Sequence, residues 1–250
     1  KYRKAFKPLV EKVSFYPFGD MEKLRETVND QTAFVILEPI QGESGIHVAP
    51  DGFLQDVRKL CDEKDILLIF DEIQAGLGRT GKMWAHQHWD TAPDILCLAK
   101  GIAGGVPMGA TLVKSEILDC ISKGEHSSTF GGNPLSCAAG TATMQALTQD
   151  KLVENSANMG KLFKEGLNKL KEKHPVIREV RGKGLMIGIE LKFEVRDILM
   201  EGIEKGLLLL YSGRNILRLL PPLVITQEDV MKSLQILDEL FTNEEKRKNG

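Results

Sequence analysis

Cysteine is scarce in this chain. There are four in 250 residues, Cys61, Cys97, Cys120 and Cys137, widely spaced and without a Cys-x-x-Cys pair. That spacing excludes a disulfide scaffold and a structural zinc site, and the four read as reduced packing residues of a cytoplasmic protein. Long apolar runs are missing too. The longest, residues 66–70 and 207–210, have the length of a buried strand, so neither a membrane span nor a secretory signal is expected. Charge of one sign is not in excess, with 33 basic against 35 acidic residues, which argues against bulk attachment to nucleic acid or an anionic membrane. Aromatic residues make up only 6%, yet 42% hydrophobic and 27% charged residues is globular composition. The length suits one large domain or one and a half ordinary ones. An initiator methionine is also lacking: the chain opens Lys1-Tyr2-Arg3-Lys4, as expected of a trimmed or processed polypeptide or part of a longer one.

What is present is an alternation of strand-length apolar runs with helix-length amphipathic segments. Residues 34–37, 66–70, 95–98 and 110–113 are strand-like, and 52–64 place Phe53, Leu54, Val57, Leu60 and Cys61 on one helical face. This predicts an α/β fold whose parallel or mixed sheet is covered on both faces. After Asn133-Pro134 the character changes. Helices are expected over 135–147 and 151–173, a strand over 184–191, a helix over about 195–205 and short strands at 207–210 and 216–220. A last helix opens at the Thr226-Gln-Glu-Asp229 capping box. The chain therefore divides into a larger part, 1–145, and a smaller C-terminal α+β domain, 146–250, with the polar tail 243–250 frayed.

The most informative stretch is Leu67-Leu-Ile-Phe-Asp71-Glu72-Ile73-Gln74, a buried strand ending in two acids and an amide. Ligands of open α/β sheets sit beyond the carboxyl ends of strands, which aims Asp71 and Gln74 at a candidate site. Two other readings stand beside it: ordinary solvated acids, or a Walker B element. Gly76-Leu-Gly-Arg-Thr-Gly81-Lys82 even satisfies the G-x-x-x-x-G-K part of an NTPase phosphate loop. Against the NTPase, Met83 stands where a hydroxyl should hold Mg²⁺, and the loop follows Asp71 instead of preceding it on its own strand.

Lys100 closes the run 95–98 and enters the glycine-rich stretch 101–109. A desolvated amine there could attack a carbonyl, and the glycines would let a planar ligand approach the backbone; a surface lysine is the ordinary alternative. His126-Ser-Ser128-Thr129-Phe-Gly131-Gly132-Asn133-Pro134 sets hydroxyls and N–H groups ahead of a helix, suited to an anion or to a plain N-cap. Glu43 sits on another strand-following turn. Arg218, alone in an apolar run, requires a carboxylate partner from protein or substrate. His86 and His88 lack a third ligand and read as polar packing, not a metal site.

In order and over almost the whole chain, the segments LEPIQGESG, LLIFDEIQAGLGRTGK, PDILCLAKGIAGGVPMGA, HSSTFGGNPLSCAA, VRGKGLMIGIEL and LRLLPPLVIT resemble the class III (ω-amino) aminotransferases. These are fold-type-I enzymes that use pyridoxal 5′-phosphate. The resemblance implies a mostly parallel sheet flanked by helices, plus a smaller C-terminal α+β domain. It also implies that an N-terminal segment of the family fold is absent, so that this chain is the C-terminal portion of a larger subunit.

By the same resemblance, Lys100 is the lysine that carries the cofactor and shuttles a proton. Asp71 pairs with the ring nitrogen, Gln74 bonds the ring's 3-oxygen and Ile73 packs on the ring face. Thr129 binds the phosphate by reaching into the partner subunit's site, with Ser128 beside it at the substrate, which makes a homodimer part of the expectation. Arg218 resembles the arginine that grips the carboxylate of glutamate and 2-oxoglutarate, and Glu43 the gate that pairs with it for an ω-amino substrate. The pattern is most like the branch that moves an amino group from an N-acylated ornithine or lysine to 2-oxoglutarate, in arginine or lysine biosynthesis. In the lysine case an amino-group carrier protein is a further partner. Ornithine and 4-aminobutyrate aminotransferases, and a chain that keeps the fold without completing the site, stay open.

Overall fold

The structure is a computed structural model that describes residues 2–249. In chain order its principal elements are α1 (Met21–Thr27), β1 (Phe34–Leu37), β2 (Ile40–Gln41), β3 (His47–Val48), α2 (Phe53–Lys64), β4 (Leu67–Asp71), β5 (Ile95–Leu98), β6 (Ala110–Val113), α3 (Ser115–Leu118), α4 (Pro134–Gln149), α5 (Leu152–Lys173), β7 (Ile177–Lys183), β8 (Met186–Leu191), α6 (Arg196–Glu204), β9 (Leu210–Ser212), β10 (Ile216–Leu219) and α7 (Gln227–Asn249).

The first sheet has the order β1-β4-β5-β6, with β1, β4 and β5 parallel and β6 antiparallel. Its three parallel strands therefore end on one side, at Glu38, Asp71 and Lys100. The connection from β1 to β4 runs through α2, entered at Gly52 with φ 80° and left at Asp65, also left-handed. α2 buries Phe53, Leu54, Val57, Leu60 and Cys61, the residues its periodicity predicts.

Register sets Val35 beside Leu68 and Phe70 beside Leu96, so the even-odd alternation of each strand feeds one core face. The mixed sheet is flanked by helices as expected; on the face opposite the core Phe34 and Ile36 are half exposed, and Leu112, paired with Leu96, is exposed on the edge strand β6. Cys61 packs in the core, where burial pushes its thiol up to about 11, but Cys120 is exposed and is no packing residue.

The second sheet, β7-β8-β10-β9, is wholly antiparallel and packs against α5, α6 and α7 around a core including Phe163, Leu167, Ile187, Leu217, Leu237 and Phe241. β7 is not predicted by the sequence reading. Its sequence, IREVRGK, alternates poorly because charged residues stay on the exposed positions while Arg181 is buried. β9 begins at Leu210, so the strand expected at 207–210 is displaced. The Thr226 cap forms as predicted, with the Asp229 N–H donating to Thr226 Oγ1 and the Thr226 N–H donating to Asp229 Oδ2.

The tail expectation is corrected. α7 continues to Asn249, because Asn243 donates to Glu201 on α6 and Arg247 pairs with Glu201 and Glu244. Gly250 lies outside the described residues.

Backbone contact joins the two sheets' layers. A Cβ on Gly184 of the β7–β8 turn would lie 2.3 Å from the backbone of Thr80, in the turns after β4, and one on Gly160 of α5 would lie 2.3 Å from the Gly184 carbonyl. Arg79, in the turns after β4, donates to the carbonyls of Leu185 and Pro221, and burial lowers its pKa. The NTPase reading fails at the same place. After Gly81-Lys82 the chain enters only a short 3-10 turn, Ala85–His88, with no helix to present its N-terminus to a phosphate.

Candidate active site

Three parallel strands deliver three functional groups to one side of the first sheet. β4 ends in Asp71, whose Oδ1 accepts the Ile73 N–H at 3.0 Å, leaving the half-buried carboxylate with a free oxygen. The next residue, Glu72, has the opposite fate. Fully buried, it accepts the N–H groups of Ala85 at 2.6 Å and His86 at 2.7 Å, with His86 Nδ1 also at 2.7 Å. One acid of the pair faces the site and the other fastens the following turn. β5 delivers Lys100, exposed, with a φ of 48°. That left-handed conformation costs a non-glycine residue about 1–2 kcal/mol, strain of the kind found at functional sites. Beyond it, Gly101 and Gly105 have open space where a Cβ would stand.

A second cluster lies beside the first. Arg218, buried in β10, donates to Glu43 Oε1 at 2.6 Å, and Gln74 Nε2 donates to the same oxygen at 3.3 Å. The partner that a lone arginine in an apolar strand requires is thus Glu43, whose pKa Arg218 holds below the ordinary carboxylate value. Among the described residues, two buried atoms in this cluster have no hydrogen-bond partner, Gln74 Oε1 and Arg218 Nε. Glu43 itself stays largely exposed, at 65% of its side chain.

Three further residues belong to the site and were not singled out in the sequence. Glu38, first after β1, accepts the Gly42 N–H at 3.0 Å; burial raises its pKa, and Asp71, Lys100 and Glu43 all act on it electrostatically. The strand-end argument that selects Asp71 and Lys100 applies to it equally. Ser212 donates its hydroxyl to the Glu43 carbonyl, and Arg181 donates to the Gly45 carbonyl at 2.8 Å. Neither carries a local sequence signal.

The class-III aminotransferase model matches residues 1–241. The chain belongs to the class-III aminotransferases. Among its relatives, the acetylornithine aminotransferase of Caldanaerobacter subterraneus subsp. tengcongensis is 46% identical over 97% of this chain and 62% of its own length. That of Methanocaldococcus jannaschii is 47% identical over 97% and 61%. In structure, the chain superposes on the ornithine aminotransferase of Toxoplasma gondii, crystallised with oxidised glutathione and with pyridoxal phosphate at partial occupancy in its active site. The TM-score is 0.94 at 35% identity, over 98% of this chain and 59% of that one. This class-III chain thus spans about three fifths of the length of the relatives it matches.

Within the class-III chain, Ser128 and Thr129 lie apart from the clusters above. Both are exposed ahead of α4, Ser128 Oγ accepts the Gly131 N–H at 3.0 Å, and among the described residues neither bonds to Asp71, Gln74 or Lys100. Asn133 caps α4 through the Ser136 N–H, so the loop's end is anchored while its hydroxyls face outward. Among the described residues no cluster of His, Cys, Asp or Glu could hold a metal, and no helix is long and apolar enough to cross a membrane.

Proposed function

We propose that this chain carries the lysine and the ring and carboxylate contacts of a pyridoxal-phosphate-dependent aminotransferase acting in the cytoplasm. Its reaction would move the ω-amino group of an N-acylated ornithine or lysine to 2-oxoglutarate, leaving a semialdehyde and glutamate. The observation that carries this reading is the Arg218–Glu43–Gln74 cluster beside Asp71 and Lys100 at the strand ends. A buried guanidinium with an exposed, removable carboxylate suits a pocket that must take a dicarboxylate in one half-reaction and an amine in the other.

The donor set fits the cofactor. A carboxylate with a free oxygen, a buried amide oxygen without a partner, an amine on the neighbouring strand and open space at the glycines match a planar pyridine ring bearing a hydroxyl and an aldehyde. When bound, such a group supplies the electron sink for breaking a bond at the amine-bearing carbon. Lys100 would hold it and then carry the proton to and from that carbon. Asp71 would keep the ring nitrogen protonated, Gln74 would hold the ring oxygen and Ile73 would pack against the ring. Ser128 and Thr129, facing outward, suit a contribution to the partner subunit's substrate and phosphate, hence a homodimer with shared sites. Residues 1–145 would form part of the cofactor-binding domain and 146–250 the small domain. An amino-group carrier protein would be a partner only where lysine is the substrate.

The relatives named above favour N-acetylornithine as donor; the structural likeness to an ornithine aminotransferase supports ornithine as a second reading. A half-reaction screen separates them. N-acetylornithine should bleach the cofactor's absorbance band, whereas ornithine, 4-aminobutyrate and carrier-linked lysine should not. A protein that stays colourless with added pyridoxal phosphate would overturn the reading.

A further inference from the structure

The turn carrying Glu43 is tied down from two sides. Gly42, buried, donates its N–H to Glu38 Oε2 at 3.0 Å, and its carbonyl accepts from Arg218 Nη1 at 3.4 Å. The Gln74 amide packs directly on Gly42: a Cβ there would stand 1.8 Å from Gln74 Oε1 and would displace that amide. The Glu43 carbonyl accepts the Ser212 hydroxyl, and the Gly45 carbonyl accepts Arg181 Nε. Arg181, Ser212 and Arg218 belong to β7, β9 and β10 of the second sheet, whereas Glu38 follows β1 of the first. The Glu43 side chain, in contrast, is 65% exposed and is bonded through Oε1 to Arg218 and Gln74. The backbone is clamped from both sheets while the carboxylate stands largely in solvent.

We propose that Glu38 is a positioning residue for the Glu43 gate: by holding the Gly42 N–H it fixes the turn between the two sheets, so that Glu43 uncovers Arg218 by rotating its side chain while its backbone stays in place. This rests on the reading of Glu43 and Arg218 given above. Its consequence is a bias between half-reactions. A fixed mount keeps Glu43 over Arg218 when an amine enters; a loose one leaves the guanidinium uncovered, which repels the amine but still admits a dicarboxylate.

The test compares Glu38→Ala, which removes the acceptor, with Glu38→Gln, which keeps an oxygen for the Gly42 N–H. For Glu38→Ala the KM for N-acetylornithine should rise about tenfold, the loss of one hydrogen bond's worth of positioning, while the KM for 2-oxoglutarate moves less than about twofold. Glu38→Gln should restore the donor KM. A readout without turnover is calorimetric binding of glutarate, which should be as tight or tighter in Glu38→Ala, since Glu43 competes less for Arg218. If both half-reactions fall together, if glutarate binding weakens about tenfold or if Glu38→Gln fails to rescue, the proposal is overturned. Should Glu38→Ala not fold, Ser212→Ala unties the Glu43 carbonyl and must show the same donor-selective rise. Glutarate bound equally by the parent and by Arg218→Ala would instead defeat the reading of Arg218, and this proposal with it.

Discussion

Glu72→Ala should damage the fold far more than Asp71→Asn, although the two acids are adjacent. Glu72 is fully buried and accepts three hydrogen bonds, from two backbone N–H groups and one imidazole nitrogen. Removing it leaves those donors without water or partner, a loss of about 3–5 kcal/mol for a buried carboxylate network. With a urea m-value of about 3 kcal/mol/M for a chain this size, the unfolding midpoint should fall by roughly 1–1.7 M. Glu72→Gln keeps one acceptor oxygen but turns an NH₂ toward an N–H, so its midpoint should lie between the two. Asp71→Asn retains an oxygen for the Ile73 N–H and should cost less than about 1 kcal/mol. From the role proposed for Asp71, affinity for pyridoxal phosphate should drop while the midpoint holds. Far-UV circular dichroism in urea reads the first quantity, and absorbance titration with pyridoxal phosphate reads the second. An unchanged midpoint in Glu72→Ala, or a larger stability loss in Asp71→Asn, would refute the division of labour.

Gly160→Ala would drive a Cβ into the Gly184 backbone, where no side chain can yield, so a loss of about 3 kcal/mol and a fall in Tm of roughly 6–12 °C are expected in a thermal scan. Asp94 is buried, which by itself would raise its pKa, but the Leu68 N–H, Lys114 and Arg58 outweigh this and hold it below 3.8. Its contribution is therefore full above the ordinary carboxylate range and lost as pH falls through the depressed value. Asp94→Asn should destabilise at pH 7 and flatten the acid limb of a stability-versus-pH curve. Glu43, held low first by its hydrogen bond from Arg218, should titrate by carbon-13 NMR below 4.5, and Arg218→Ala should move that midpoint upward; a midpoint that stays put would contradict the pairing.

How much of this was legible in the sequence depends on the range of the interaction. Strand-end chemistry is local. Leu68 and Phe70 point into the core, so alternation alone sends position 72 inward and 71 outward, and the sequence already contained the distinction between the two acids. β7 was hidden because its buried members include an arginine, which satisfies its charge on Glu179 and Glu190 and so defeats any pattern built on apolar residues. The proposed gate is different in kind. Glu43 meets Gln74 across 31 residues and Arg218 across 175, from a hairpin turn, a post-strand turn and a strand of another sheet. No periodicity encodes such a meeting. Residue pattern supplies only the electrostatic requirement that an arginine in an apolar strand find an anion; the pairing with Glu43 was named by the family resemblance alone. That requirement is met here by a carboxylate left two-thirds in water, on a turn whose backbone is held by Glu38, Arg181 and Ser212. An arginine needing only structural neutralisation would be expected to bury its partner with it. A firmly mounted yet exposed carboxylate is what the proposed separation of the pair requires.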